Sequence, residues 1–367
     1  MRRHLRDIDK LARNAREDVD VAEICRQVCA VHAFGLGVPE SYLQKLAALP
    51  PYMNFDRTVL SKASSFLVKR REKQRDGTIE TVIRTRHSVA AELVLREEIR
   101  ESKEYGEEPL YRVEDFIRLD LQYGDGRRVP KLFQALRLQF NYHYRLKLQD
   151  VRPIFELASQ NSRIARYVFH IWAGLESRER QFDRACSLYE RAVEVAPNDA
   201  VIYQAWARLE GRLRNRDKAR ELFERGTKAD PKHAPTWQAW AVMEEKAGNR
   251  DKARELFERG TKADPKHAPT WQAWAVMEAK CGEHEKARPL YQRALRLKPS
   301  DLGTIDLWIR NETATGDPEK LRACYDTITR QLQPRNPTYW EAWGQFERDR
   351  GNHREAERLA AAAKRYR

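Results

Sequence analysis

The sequence is short of cysteine, has no long apolar run and carries no loop built for phosphate. Its five cysteines are Cys25, Cys29, Cys186, Cys281 and Cys324. An odd number without paired short spacings excludes a disulfide framework and a zinc site. Cys25 and Cys29 stand one helical turn apart and are expected as small core residues. A reducing, cytoplasmic setting is the expectation. No stretch approaches the roughly 18 apolar residues a membrane span needs, so no membrane partner is expected. The opening MRRHLRDIDKLARNARED has no apolar segment, and no signal peptide is read there. Gly-x-x-x-x-Gly-Lys-Ser/Thr, the nucleophile elbow and His-Glu-x-x-His are all missing. YGDGRR, Tyr123 to Arg128, is a turn between helices, without the strand and Lys-Ser pair of a phosphate loop. These absences leave no catalytic residue, cofactor, metal or small-molecule substrate to expect, and the chain reads as a non-enzyme.

What is present is charge and aromatic mass. The 367 residues are long enough for more than one domain. Nine tryptophans make the chain too aromatic for disorder. The net charge of +14 admits acidic or nucleic-acid partners. The excess is spread along the chain among Asp and Glu, which favours a solvated helical surface over a dedicated nucleic-acid face.

The strongest signal is a repetition. NRDKARELFERGTKADPKHAPTWQAWAVMEEKAG (Asn215 to Gly248) is followed at once by a near copy from Asn249 to Gly282. Only Glu245 against Ala279 and Ala247 against Cys281 differ. The period is 34 residues. With Ala234 as position 1, Trp237, Trp240, Ala241 and Glu244 fall at positions 4, 7, 8 and 11, one stripe of a helix. Gly248 closes that helix as a left-handed cap. Ala253, Phe257 and Gly260 form a second stripe, and Pro265 ends it. The frame recurs from Arg166, Ala200, Ala268, Leu302 and Pro337. The Leu302 unit is one residue longer, and the last unit's second helix has lost its aromatic. Neither helix buries its stripe alone, so neighbouring hairpins must stack into one continuous core.

Small residues at positions 8, 20 and 27, an aromatic at 24 and proline at 32 resemble the tetratricopeptide repeat (TPR). The Trp-x-x-Trp-Ala-x-x-Glu first helix with ARELFERG in the second resembles its half-a-TPR (HAT) variant. The expected fold is a right-handed α-solenoid of about six such hairpins, preceded by a small α+β domain. A degenerate hairpin is expected before it, from Val129 to Leu148 and Asp150 to Gln160.

Glu176, Glu210, Glu244, Glu278, Glu312 and Glu347 all sit on the inward stripe. A buried carboxylate without partners costs several kcal/mol. Six equivalent copies favour a structural lock over catalysis. Arg220, Arg254, Arg288 and Arg322 at position 21, or Arg191, Arg225, Arg259 and Arg293 at position 26, are the candidate partners. The expectation is an Arg of the same or the next hairpin. The stripe tryptophans are expected in the core.

In TPR arrays the first helices line the concave face, at positions 2, 5, 9, 12 and 13. The resemblance therefore implies a groove of His170, Gly174, Ser177 and Arg178, then Gln204, Arg208 and Arg212. Gln238, Val242, Glu245 and Lys246 follow, then Gln272, Val276 and Lys280, then Asp306 and Arg310, then Glu341, Gln345 and Arg348. This polar, basic-leaning mixture suits an extended acidic peptide, a helix or a phosphate backbone. A solvated, unoccupied face is the competing reading.

Before residue 100 the frame fails. Asp20 to Gly35, Val38 to Leu49 and Asp56 to Ser65 read as three helices. FLVKRREK and IETVIRTRH bracket Asp76-Gly77 as a β-hairpin, and SVAAELVLREEI reads as a further helix. The order resembles the winged-helix segment after the ATPase core of STAND-class NTPases, with Arg86, His87, Ala91 and Glu92 carrying the match. The resemblance implies a regulatory part coupled to a helical sensor. The wing residues Lys69, Arg70, Arg71, Lys73 and Arg75 make a basic tip that admits DNA or a solvated hairpin. Residues 1–104 form the winged-helix-like domain in this division, 105–165 a helical connector and 166–367 the repeats. The expected function is a protein-interaction scaffold or sensor of STAND type. RNA binding in RNA processing is the alternative.

Overall fold

The computed structural model describes residues 21–34, 36–46, 55–63, 66–73, 79–86, 91, 94–95, 99–100, 110–123, 126, 128–139, 147–332 and 336–366. The chain divides into two compact units, Met1–Pro197 and Asn198–Arg367. The division by sequence drew its last boundary at residue 165 instead.

The first unit begins with α1 (Val21–His32), whose Ile24, Cys25, Val28 and Cys29 are all buried. Then come β1 (Val38–Pro39), α2 (Glu40–Leu46), a π-helical turn Asp56–Leu60 running into α3 (Ser61–Ala63), β2 (Leu67–Lys73) and β3 (Ile79–Thr85). The expected helix from Val38 is corrected here: its first two residues pair with β3, Val38 with Ile83 and Pro39 with Val82. Pro39 has no N–H to donate and is tolerated on an edge strand. The β2–β3 register runs from Leu67 opposite Thr85 to Lys73 opposite Ile79, and the antiparallel sheet has the order β1-β3-β2. The Asp76-Gly77 turn, Arg75, His87 and Glu92 lie outside the described residues.

Polar side chains tie this domain to the helices after it. In α4 (Tyr111–Tyr123), Arg112 donates from Nε and Nη2 to Glu23 of α1 at 2.7 and 2.6 Å. Asp120 is fully buried and accepts from Tyr42 Oη at 3.1 Å and from the Arg128 backbone and Nη1, each at 2.9 Å. Arg128 also pairs with Glu80 of β3. Buried groups satisfied this fully fix one packing of sheet against helix.

After α5 (Val129–Gln139) and α6 (Leu148–Ser159) comes the first repeat hairpin, α7 (Ala165–Arg178) and α8 (Phe182–Val195). Phe155 of α6 stacks on Trp172 of α7 at 5.7 Å. That contact, with the Arg152–Glu176 pair described below, binds this hairpin to α6 within the first unit.

The second unit contains five more hairpins. They are α9 (Ala200–Arg212) with α10 (Arg216–Ala229), α11 (Ala234–Lys246) with α12 (Arg250–Ala263), and α13 (Ala268–Lys280) with α14 (His284–Leu297). The last two are α15 (Leu302–Ala314) with α16 (Pro318–Asp326), and α17 (Pro337–Arg348) with α18 (His353–Ala363). Within it, first helices pack side by side, α9 on α11, α11 on α13 and α13 on α15. Gly248, Gly282, Gly316 and Gly351 end the first helices with φ of +88°, +78°, +68° and +78°. Arg214 occupies the matching turn of the α9–α10 hairpin at φ +66°, where a side chain is strained. Ring stacking passes the core along the array. Phe223 lies 6.0 Å from Trp240, Phe257 6.2 Å from Trp274 and Tyr325 6.4 Å from Trp343. The tryptophans are not uniformly core residues. Trp172, Trp206, Trp308 and Trp343 are buried, whereas Trp237, Trp240, Trp271 and Trp274 of the duplicated pair are half-buried. The extra residue of the Leu302 unit is absorbed where α16 passes into a π-helical turn, Thr327–Leu332.

Candidate functional site on the first helices

Every first helix carries charge on two sides, and the structure treats the two sides differently. On the inner side the six stripe carboxylates are buried. Arg220 of α10 grips Glu244 of α11 from Nε and Nη2 at 2.8 and 3.0 Å. Arg254 holds Glu278 in the same way at 2.9 and 3.0 Å, and Arg288 holds Glu312 at 2.9 and 2.7 Å. Arg322 reaches Glu347 at 2.8 and 3.1 Å. In the first unit Arg152 of α6 does the same to Glu176, at 2.8 and 2.9 Å. The arginine therefore comes from the preceding hairpin, not from the same or the next one. Position 21 lies in the first turns of the second helix, which packs against the first helix that follows, α10 on α11 and α12 on α13. Only there do the guanidinium fork and the carboxylate meet in parallel, bidentate geometry.

Each carboxylate also accepts from the indole Nε1 one turn earlier. Trp172, Trp206, Trp240, Trp274, Trp308 and Trp343 donate to Glu176, Glu210, Glu244, Glu278, Glu312 and Glu347 at 2.9 to 3.1 Å. Asn249 adds a third donor to Glu244 at 2.7 Å, and Asn352 one to Glu347 at 2.5 Å. Burial pushes the Glu244 carboxyl up, but Arg220, Asn249 and Trp240 outweigh it and hold it at about 2. Glu347 is held at about 2, first by Arg322. Glu210 departs from the pattern. Position 21 of the hairpin before it is Cys186, and Lys218 of its own hairpin stands 3.3 Å from the carboxylate beside Asn215 at 2.8 Å.

The position-26 arginines do something else. Arg191 lies over Phe169 at 4.5 Å, Arg259 over Trp237 at 5.6 Å and Arg293 over Trp271 at 5.8 Å. Each covers the aromatic at position 4 of its own hairpin, a cation–π contact rather than an ion pair to the stripe glutamate. Arg225 pairs with Glu221 at 2.8 Å.

On the outer side the predicted groove residues separate into occupied and available groups. Gln204 donates to the Pro235 carbonyl at 2.8 Å and Gln238 to the Pro269 carbonyl at 3.3 Å, so both link one hairpin to the next. Lys280 pairs with Glu245 at 2.9 Å. Tyr339 donates to Asp306 at 2.9 Å. Arg348 donates to Gln345, which donates to Asp349 at 2.6 Å. Gln272 is half-buried. In the first unit His170 is half-buried with its ring edge-on to Tyr189 at 6.3 Å, and Arg178 is exposed. Arg208, Arg212, Lys246 and Arg310 are exposed. Of these, Arg208, Lys246 and Arg310 form no ion pair among the described residues.

The basic strand β2 is less open than its sequence implies. Lys69 folds back onto Glu40 and Asp56, both at 2.7 Å. Arg70, Arg71 and Lys73 are exposed. Among the described residues no group of His, Cys, Asp and Glu is arranged to hold a metal ion. No helix there is long and apolar enough to cross a membrane.

Stacked hairpins with Trp and Glu on the first helix, and Arg and an aromatic on the second, define a helical-repeat protein of the TPR and HAT kind. Residues 134–287 and 204–364 match the family described as the pre-mRNA-splicing factor Syf1/CRNKL1 C-terminal HAT repeat, and the chain belongs to that family. The match begins ahead of the first hairpin. Arg152, Phe155 and Ala158 of α6 repeat the spacing of Arg220, Phe223 and Gly226, the signal by which the degenerate hairpin joins the frame. The following three are among the solved structures that are similar. Pseudomonas aeruginosa PilF is 13% identical over 56% of this chain and 92% of its own, with a TM-score of 0.41. Yeast Tom70 is 14% identical over 76% of this chain and 56% of its own, with a TM-score of 0.46. YrrB, described as a TPR protein with an unusual peptide-binding site, is 17% identical over 49% and 92%, with a TM-score of 0.35. No curated protein matches the sequence.

Proposed function

We propose that the chain is a non-enzymatic scaffold that holds an acidic protein segment against the first helices of its second unit. The observation that carries this reading is the contrast in charge. The buried carboxylates of the inner stripe are all paired, whereas Arg208, Lys246 and Arg310 stand exposed and form no ion pair among the described residues. An exposed cation held on a rigid helix is ready to meet a carboxylate at little ordering cost. The test is binding of polyglutamate and of single-stranded RNA by the full chain across a salt series. Polyglutamate should bind and should be lost in the Arg208→Glu, Lys246→Glu, Arg310→Glu triple variant. RNA bound tightly with a steep salt dependence, while polyglutamate is ignored, overturns the reading.

RNA binding in RNA processing is the second reading, and the match to a splicing-factor family favours it. The same salt series decides between the two. In the first unit, the sheet order β1-β3-β2 with α1, α2 and α3 around it supports a winged-helix reading. Exposed Arg70, Arg71 and Lys73 then suit a nucleic-acid backbone. Duplex DNA binding that survives Arg70→Glu with Arg71→Glu would remove that role. The STAND-type signalling role has no counterpart in the family match, which begins at residue 134.

A further inference from the structure

Position 9 of the first helices spells a pattern across four consecutive hairpins of the second unit. The residues are Arg208, Val242, Val276 and Arg310, on α9, α11, α13 and α15. These helices pack side by side, so the four side chains form one row. The two valines are half-buried against the cores of the duplicated hairpins, and the two arginines are exposed. No nearby acid forms an ion pair with either arginine among the described residues. Glu245 is taken by Lys280 at 2.9 Å, and Asp306, one turn before Arg310, accepts from Tyr339 at 2.9 Å. The row therefore reads cation, apolar, apolar, cation.

We propose that this row selects an extended protein segment with two acidic residues at a fixed separation and apolar side chains between them. The inference rests on the scaffold reading above and names the ligand class for the same face. The separation follows from packing geometry. Neighbouring helices stand about 8–10 Å apart, so three steps span roughly 24–30 Å. An extended chain advances about 3.3 Å per residue, which puts the two acids about seven to nine residues apart. The duplication explains the middle. Copying one hairpin placed a second valine beside the first and moved the flanking arginines one step further apart. Charge complementarity at both ends fixes the register of the segment. The valines between them favour apolar side chains at the two positions that face them, while an acid elsewhere in the segment can meet the exposed Lys246 one turn after Val242.

The experiment uses fluorescein-labelled peptides on the full chain. One peptide carries Glu pairs eight residues apart with Leu and Val between them. Others have the same composition with the Glu pairs three or fourteen residues apart. The expected result is at least tenfold tighter binding of the eight-residue spacing. Arg208→Glu and Arg310→Glu should each weaken it about tenfold. A peptide with Lys at the matching end should recover the loss. Val242→Thr, which keeps the shape of valine but adds a hydroxyl, should weaken it while the chain stays folded by circular dichroism. Equal affinity for all three spacings, with loss on Arg208→Glu, overturns the row while leaving the scaffold reading intact. No binding of any acidic peptide overturns both.

Discussion

The inner and outer sides of the first helices carry the same kinds of residue and use them in opposite ways. Inside, each glutamate is buried and most meet an arginine fork and an indole N–H. Outside, Arg208 and Arg310 are exposed and form no ion pair among the described residues. Charge on a repeat stripe is therefore not in itself a sign of a binding site. A charge already paired in a fixed geometry holds hairpins in register. A charge left unpaired on a rigid surface is what a ligand can use.

Removing one partner of an inner pair should have the largest effect. Arg254→Ala leaves Glu278 buried without its guanidinium and should cost about 3–5 kcal/mol in urea unfolding. Arg208→Ala, on the outer side, should stay within about 0.5 kcal/mol. Equal effects would erase the distinction. Next in size is the pH response. The Glu244 and Glu347 carboxyls lie at about 2 when folded, below the ordinary 4.5. Their contribution is therefore complete above about pH 4.5 and is lost as pH falls toward 2. The unfolding temperature should drop across that window. Burial pushes the Glu278 carboxyl up, but Arg254 and Trp274 outweigh it and hold it low, so an Arg254→Leu, Glu278→Leu chain should drop less. That double variant should itself recover most of the stability lost in Arg254→Ala, because two matched apolar residues strand no charge. The smallest effect is expected from Trp343→Phe, which keeps a ring but removes the donor 3.1 Å from Glu347. About 1 kcal/mol is expected, read in the same urea series.

Much of the fold was legible because its signals are periodic. The 34-residue frame located both helices of each hairpin, and the proline and glycine positions marked their ends. The stripe glutamates were legible too, since six in-frame carboxylates on an apolar face require partners. Their direction was not. Sequence spacing equates the arginine of the preceding hairpin with those of the same or the next, and only packing shows that position 21 of one unit faces position 11 of the following one. The Cys186 exception stands in the sequence, but its consequence at Glu210 emerges only with Lys218 in place. On the outer side, residue type alone did not separate Gln204 and Gln238, spent on proline carbonyls, from Arg208 and Arg310. At Val38–Pro39 a helix-start signal yielded to pairing with β3, a long-range contact that local propensity does not carry.

The most direct test of the account measures affinity for the eight-spaced Glu peptide and the unfolding temperature together, in two variants. Arg208→Glu with Arg310→Glu should lose at least tenfold in affinity at an unchanged unfolding temperature. Arg254→Ala should lower the unfolding temperature while binding the peptide normally under native conditions. An outer variant that binds as well as the parent chain, or an inner variant as stable as the parent, would contradict it.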